Sequence, residues 1–520
     1  MKGIRVPTGG WILLVVIAFG LPLFLGLGRL DLENDEAVHS LVAESILETG
    51  DWMTPHALTP LLDDAFVEKP PLKFWLVAAP MRLGLVPDTE AGLRVWDATF
   101  GVFIFLYVFG LGRLMAGPWC GFTAALVLFT FQPLLFQHGL RTNNMDAAVV
   151  LAYCGGMYHF VRWSRATGER ERARHALAVA LFGLLGFMTK FVAIAFLFVV
   201  IAAVSVTHST TRRRLTREWR TWVAVAAVGL ALAAPWFIYQ SVRMGSAFWN
   251  IILLDHVFKR FSVGLDPAHL RPWSFYFVEL YRELSRSHTF LLVTAGGLIV
   301  LGRTLREEWL EGALVVFWFA LPISLISLGS SKLLHYSYPF IPPLALAAGY
   351  LFAWLDRLVS DRLGERRAAR AWVWTARVAV AVVLIATGPA EAYRGTIPRL
   401  LIEDHPLRRA RNCMQNVREF ERRAGRPQTS LFVWLPTGAY QHPFYYYFRN
   451  AGWDLHKEWH DEALIETLDI QGAQRAVLMP KRDYLAFLAR TNRWVGSVPK
   501  VDVFNVVLLL PGPFAGCRAR

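Results

Sequence analysis

Cysteine is scarce in this chain, with four in 520 residues, so no disulfide framework holds it together. No C-x-x-C pair, P-loop or dinucleotide-binding glycine pattern occurs, which removes the common redox, metal-ribbon and nucleotide sites. Charge is also thin. Asp, Glu, Lys and Arg make up 18% of the residues, against about 25% in soluble domains. Acids are the scarcer sign, 40 against 54 Lys and Arg, giving a net charge of +14. That excess does not mark a nucleic-acid binder, because its arginines sit in short clusters between apolar runs, where topology signals belong.

Apolar surface is what the chain has in abundance: 55% hydrophobic residues, 20 Trp and 36 Phe. Such a composition excludes an ordinary soluble enzyme and points to an integral membrane protein. A span needs about 20 apolar residues. Stretches near 11–29, 93–112, 119–137, 146–162, 176–189, 191–207, 221–240, 288–302, 312–329, 335–354 and 371–389 meet that need, so about eleven to thirteen spans are expected. Basic residues cluster in alternate loops, at Lys2 and Arg5, Arg162–Arg174, Arg212–Arg220 and Arg357–Arg370. The positive-inside rule makes those loops cytoplasmic. The stretch after the first span, the loop 241–287 and everything beyond residue 390 then lie on the outer side. A cleaved signal peptide is the rival for the N-terminus, but the apolar run is long for an h-region, which favours an uncleaved first helix.

The expected organisation is a transmembrane domain over 1–389, with outer loops near 31–92 and 241–287, followed by a small α/β domain over 390–520. The tail earns this reading through the short apolar runs "SLFVWLP", "RAVLMP" and "VFNVVLLLP", separated by polar, helix-like segments. Cys413 and Cys517 both fall in it; an oxidising compartment would allow them to pair, and spacing alone does not decide the matter.

Immediately after the first span, "DLENDE" places four acids in six residues. Asn34, Asp35 and Glu36 precede Val38, Leu41, Val42 and Ile46 at helical spacing, so an amphipathic helix along the membrane surface is expected to begin here. The plain reading of Asn34 or Asp35 is a helix N-cap. Other polar residues stand at the outer ends of separate spans, however. "FVEKPPLKFW" sets Glu68 and Lys69 before two prolines that hold Lys69 extended and start a helix. "HGLRTNNMDAAVV" sets Arg141 and Asp146 at the start of the fourth span, "LLDHVFKRF" sets His256 and Arg260 four apart in the outer loop, and "SSKLLHYSYP" carries Lys332 with Tyr336 one helical turn later. Each alone is a surface charge or a snorkelling helix end. Together they bring Lys, Arg, Tyr and carboxylates to one membrane face. Cationic and hydroxyl donors hold phosphate; a carboxylate can take a proton from a nucleophile or steady positive charge at an anomeric carbon.

These stretches, with "GFMTKFVAIAF" and "APWFIYQSVRMGSAFWNIILLDHVFKRF", resemble the GT-C glycosyltransferases of the bacterial aminoarabinose transferase and protein mannosyltransferase type, in order over residues 1 to about 350. The resemblance implies an all-α polytopic membrane fold in a bacterial inner membrane. It also implies inverting transfer of a sugar from a polyprenyl-phosphate donor to a lipid, glycan or protein acceptor on the outer face. Asp35 matches the family's first-loop catalytic Asp and Asp146 its second acidic position. Lys69, Lys332 and Tyr336 match donor-phosphate contacts; Arg260 is placed with them, and Glu36 with the substrate-binding residues. Glu68 and His256 match a metal-binding pair, with zinc as the implied ion, although two ligands without a third make a weak site; an ordinary ion pair is the alternative. The chain departs from the aminoarabinose branch at Val38 and His39, where that branch carries Arg and Tyr, which leaves donor and acceptor open.

Two other classes compete. A transporter or lipid flippase would carry internal repeats and charges at mid-membrane depth, whereas here the charges collect at one face, Lys190 being accommodated by a short outer hairpin. A membrane scaffold with an outer binding domain would tolerate Asp35→Asn but not loss of the tail.

Overall fold

The computed structural model describes residues 7–57, 65–263, 267–362, 389–425, 430–433, 442–449, 455–456, 475–480, 500–503 and 506–509. The chain forms two compact units. One comprises Met1–Leu27, Asp51–Thr54 and Phe66–Leu401; the other comprises Gly28–Gly50, Pro55–Ala65 and Ile402–Arg520. The acidic stretch after the first apolar run therefore groups with the C-terminal tail, and the division falls at Leu401.

The first unit is helical. Four helical runs among the described residues are long and apolar enough to cross a membrane: Glu90–Ala116, Glu169–Thr207, Trp219–Met244 and Leu310–Leu328. The number rises to six if the bent pairs Phe275–Arg286 with Phe290–Thr304 and Leu334–Phe340 with Pro342–Leu355 each count as one span. The 39-residue run Glu169–Thr207 would reach about 58 Å as one straight helix at 1.5 Å per residue, about twice the hydrocarbon thickness. It turns back instead: Phe191 takes a left-handed φ of 47°, and a Cβ at Gly183 would meet the Phe198 ring at 2.7 Å. The hairpin expected at Lys190 is present. Other expected spans are shorter or broken. The first is the helical run Thr8–Phe24, and 119–137 divides into helices Pro118–Phe129 and Gln132–Phe136. The expected span 371–389 lies almost wholly outside the described residues.

Two surfaces distinguish this unit from a soluble bundle. Its interior is closed with large rings, Trp163, Trp318, Tyr153 and Phe105 all being buried. Its outside is apolar as well: on helix Trp219–Met244, Val223, Leu230 and Val242 are exposed. A contiguous apolar exterior of that kind belongs in lipid, where the helix satisfies its own backbone hydrogen bonds. The chain is a multi-pass membrane protein.

In the second unit, helix Asn34–Thr49 is not the amphipathic surface helix expected from its pattern. Residues Glu36 to Ile46 are all buried. Its N-cap is Glu33 rather than Asn34 or Asp35: Glu33 and Glu36 form a reciprocal capping box, the Glu33 N–H donating to Glu36 Oε2 at 3.1 Å. Asp31 caps a second helix, Pro406–Ala424, by accepting from the N–H of Leu407 at 2.6 Å and of Arg408 at 3.3 Å. The tail also holds a five-stranded sheet of β1 (Ser430–Val433), β2 (Leu455–His456), β3 (Arg475–Pro480), β4 (Lys500–Val503) and β5 (Val506–Leu509), in the order β2-β1-β3-β5-β4. β1 runs parallel to β2 and β3, while β5 pairs antiparallel with β3 and β4. Cys517 lies outside the described residues, as does the Cys413 side chain.

Candidate active site

Two consecutive helices build the charged centre of the first unit. Asp146–Arg165 and Glu169–Lys190 have 20 and 22 residues and are joined by three. Two antiparallel helices of nearly equal length return the end of the second to the start of the first. Asp146 is the first residue of one and Lys190 the last of the other. Each charge sits at the helix end whose dipole favours it. They meet there, Lys190 Nζ lying 2.6 Å from Asp146 Oδ1, and Lys190 also stands 5.3 Å above the Tyr336 ring, a cation–π distance.

This pair opens on a cavity of about 470 Å³. Its polar lining consists of Glu68, Lys69, Asp146, Lys190, His256, Tyr276, Ser331, His335 and Tyr336, while Phe191, Phe196, Phe258, Phe261, Ile252 and Ile326 supply an apolar wall. Pro70 and Pro71 end the extended segment carrying Glu68 and Lys69, and helix Leu72–Arg82 begins directly after them. Glu68 Oε2 lies 3.9 Å from Lys69 Nζ and 3.4 Å from His256 Nε2. His256 Nδ1 is buried and makes no hydrogen bond among the described residues. His256 rides on a π-helical segment, Asn250–Lys259, not on the α-helix that a four-residue spacing to Arg260 suggests. Arg260 opens the short helix Arg260–Ser262; its side chain lies outside the described residues.

Lys332 is placed differently from its sequence expectation. It sits in an extended segment, not one helical turn before Tyr336: its N–H donates to His269 O at 2.9 Å beside the bridge between Leu270 and Ser331. Its ammonium is buried, donating to the carbonyl of Arg271 at 2.9 Å and to that of Gly329. Burial holds its pKa below the usual lysine value. It fastens the loop around His269–Arg271 to the segment entering helix Leu334–Phe340 and does not line the cavity. Arg141 is likewise spent on backbone, donating to Leu23 O at 2.7 Å and Leu400 O at 3.2 Å. Asp35 and Glu36 belong to the second unit. Asp35 is exposed at the first turn of its helix, with Asn34 Nδ2 at 3.4 Å, whereas Glu36 is buried in the capping box.

Two features escaped sequence reasoning. Tyr276 is buried and lines the cavity, and its hydroxyl makes no hydrogen bond among the described residues. Lys73 is buried with Asp97 and donates to Asn143 Oδ1 at 3.0 Å. No local signal marks Tyr276, because it stands alone in a polar–aromatic helix.

A second set of residues, besides the expected pair, can hold a metal. Among the described residues, one group offers three His, Cys, Asp or Glu ligands within 4.8 Å of one another: His138, Asp146 and His335. Glu68 and His256 lack a third such partner among those residues, and their mutual distance is that of an ion pair.

Comparison with known proteins bears on this geometry. Residues 68–239 match the family described as dolichyl-phosphate-mannose-protein mannosyltransferase. The chain is 28% identical over 362 residues to an undecaprenyl phosphate-alpha-4-amino-4-deoxy-L-arabinose arabinosyl transferase from Pectobacterium carotovorum, covering 67% of this chain and 60% of that one. The match therefore spans about 60% of that relative's length. In structure the chain is similar to the crystal structure of ArnT from Cupriavidus metallidurans bound to undecaprenyl phosphate, with a TM-score of 0.65, 17% identity, and coverage of 98% of this chain and 100% of that one. It is also similar to the archaeal oligosaccharyltransferase AglB from Archaeoglobus fulgidus, in complex with an inhibitory peptide and a dolichol-phosphate, with a TM-score of 0.54, 12% identity, and coverage of 97% and 74%. The fold shared with these proteins is the polytopic GT-C architecture, and the resemblance to the aminoarabinose transferase and mannosyltransferase group stands.

Proposed function

We propose that this protein is an inverting glycosyltransferase of the bacterial inner membrane. It moves a sugar from a polyprenyl-phosphate donor to an acceptor on the extracytoplasmic face, with the N-terminus in the cytoplasm and the C-terminal tail outside. The observation that carries the reading is a cavity whose lining combines many aromatic and aliphatic side chains with the cationic and hydroxyl groups of Lys69, Lys190, Tyr276 and Tyr336. A lipid phosphate has matching parts: its chain favours apolar side chains and its phosphate the cationic and hydroxyl donors. The names of the similar proteins agree, since the Pectobacterium relative is an undecaprenyl-phosphate arabinosyl transferase and the ArnT structure holds undecaprenyl phosphate.

In this reading Lys69 and Lys190 neutralise the phosphate as the anomeric C–O bond breaks and the electron pair leaves with the lipid phosphate. Asp146 orients Lys190. Arg260 is assigned to the donor phosphate on the family match alone, and Lys332 acts indirectly, by positioning the loop through its contacts with the carbonyls of Arg271 and Gly329. Asp35 is assigned as the base, on the strength of its match to the family's first-loop Asp: it accepts the proton of an acceptor hydroxyl as oxygen attacks the anomeric carbon from the opposite face. Glu36 holds the start of that helix through its capping box. Glu68 and His256 act as an ion pair beside Lys69, and no catalytic step passes through a metal on them. Val38 and His39, which replace the branch's Arg and Tyr, leave a choice of acceptor among lipid, glycan and protein.

The test compares glycolipids, envelope polymers and polyprenyl-phosphate sugars by mass spectrometry in the native host carrying wild type or Asp35→Asn at equal abundance. Loss of turnover by about 10²–10⁴, the usual contribution of a general base, will remove one glycan and accumulate one polyprenyl-phosphate sugar. Unchanged pools, where deletion of the protein does change them, contradict the assignment and favour the transporter or scaffold.

A further inference from the structure

His138 stands out because nothing in the proposed transfer uses it, yet its position is tightly built. Its backbone is left-handed, with φ 53°, a conformation L residues rarely adopt and that persists only where the surroundings enforce it. The next residue leaves no room for relaxation: a Cβ at Gly139 would lie 1.6 Å from the carbonyl oxygen of Leu134. Tyr338 ties this turn to the segment carrying His335, its hydroxyl lying 2.8 Å from Gln137 O and 3.0 Å from Pro133 O. The outcome is that His138 and His335 stack with ring centroids 4.3 Å apart and planes 16° apart, and the buried Asp146 brings a carboxylate oxygen into the same group.

We propose that His138, Asp146 and His335 form a binding site for a zinc-class divalent metal, with a coordination position left open to the cavity. The ligand atoms lie within 4.8 Å of one another. A tetrahedral ion with metal–nitrogen distances near 2.0–2.1 Å needs about 3.4 Å between ligands, which modest side-chain rotation supplies. Two imidazoles select a transition metal against Mg²⁺ or Ca²⁺, which prefer all-oxygen sites. Three protein ligands leave the fourth position for water or substrate oxygen, the pattern of open rather than structural zinc sites. Asp146 keeps one oxygen for Lys190, since an ionised carboxylate accepts through both. His335 and Asp146 both line the cavity, so the open position takes an oxygen of whatever anion enters. That this anion is a lipid phosphate rests on the proposed function; metal binding does not.

The test uses the full-length protein in detergent, stripped with a chelator and titrated with Zn²⁺ or Co²⁺. Bound metal per chain and the Co²⁺ ligand-field absorption are the readouts. Wild type and His256→Ala bind about one equivalent, unaffected by millimolar Mg²⁺, and His138→Ala and His335→Ala each weaken binding by about 100-fold or more. Because His138→Ala can unfold the turn, His335→Gln, checked by its thermal unfolding, carries the test independently. Wild-type affinity in the His335 variants, or no metal in wild type, overturns the site; loss of metal in His256→Ala overturns it in favour of the Glu68–His256 pair. Binding of polyprenyl phosphate to the stripped protein is measured in parallel, so failure of the metal site and failure of the lipid-phosphate reading are separate results.

Discussion

Lys73–Asp97 and Lys190–Asp146 are the same two side chains in different surroundings. The first pair is sealed, with side-chain exposures of 1% and 0%, and Asn143 completes it; the second keeps 18% and 5% and opens on the cavity. A sealed pair has no substrate to meet. Its formation must offset the removal of two charges from water, and breaking it leaves one of them stranded. An open pair can exchange part of its partner for an incoming anion at little cost. Burial of a charged pair therefore separates architecture from chemistry here better than residue type does.

The largest effect is expected where the sealed pair is broken. Lys73→Met leaves Asp97 buried without its cation and should cost about 3–5 kcal/mol; thermal unfolding in detergent measures it, and Lys73→Met combined with Asp97→Leu should recover most of the loss. If the single variant is as stable as wild type but inactive, the sealed pair is functional and the contrast fails. Next comes Lys332→Ala, which releases the loop held through Arg271 and Gly329 and should lower turnover by one to three orders of magnitude, the range for a misplaced electrostatic contact. Near-normal turnover with excess donor would remove Lys332 from the account. The smallest change is Tyr276→Phe. Losing one buried hydroxyl that binds donor is worth about 1 kcal/mol, so the donor KM should rise about fivefold with folding intact; an unchanged KM would make Tyr276 a core ring only.

Much of this was legible locally. Glu68, Lys69, Asp146, His256 and Tyr336 all line the cavity, because prolines, helix starts and loop motifs expose such residues in sequence. Lys190 was visible only as a charge interrupting an apolar run; its partnership with Asp146 depends on two antiparallel helices of nearly equal length. Lys332 was read one turn from Tyr336, yet the segment is extended because its N–H groups bond to Phe261 and His269 in the preceding loop. Helix Asn34–Thr49 was expected to be half-exposed from its pattern, but tertiary burial covers Glu36 to Ile46 on every side. The acidic opening was a capping box and a helix cap in part, with Glu33 and Glu36 closing one helix and Asp31 another.

The central claim is that the open pair binds a lipid phosphate. The direct measurement is equilibrium binding of polyprenyl phosphate, with polyprenol as control, to wild type and Lys190→Met in nanodiscs. A charge-assisted contact worth about 1.5–3 kcal/mol predicts that wild type favours the phosphate over the alcohol and that Lys190→Met weakens the phosphate about 10–100-fold while leaving the alcohol unchanged. Equal binding of phosphate and alcohol, or full phosphate affinity in Lys190→Met, would contradict it.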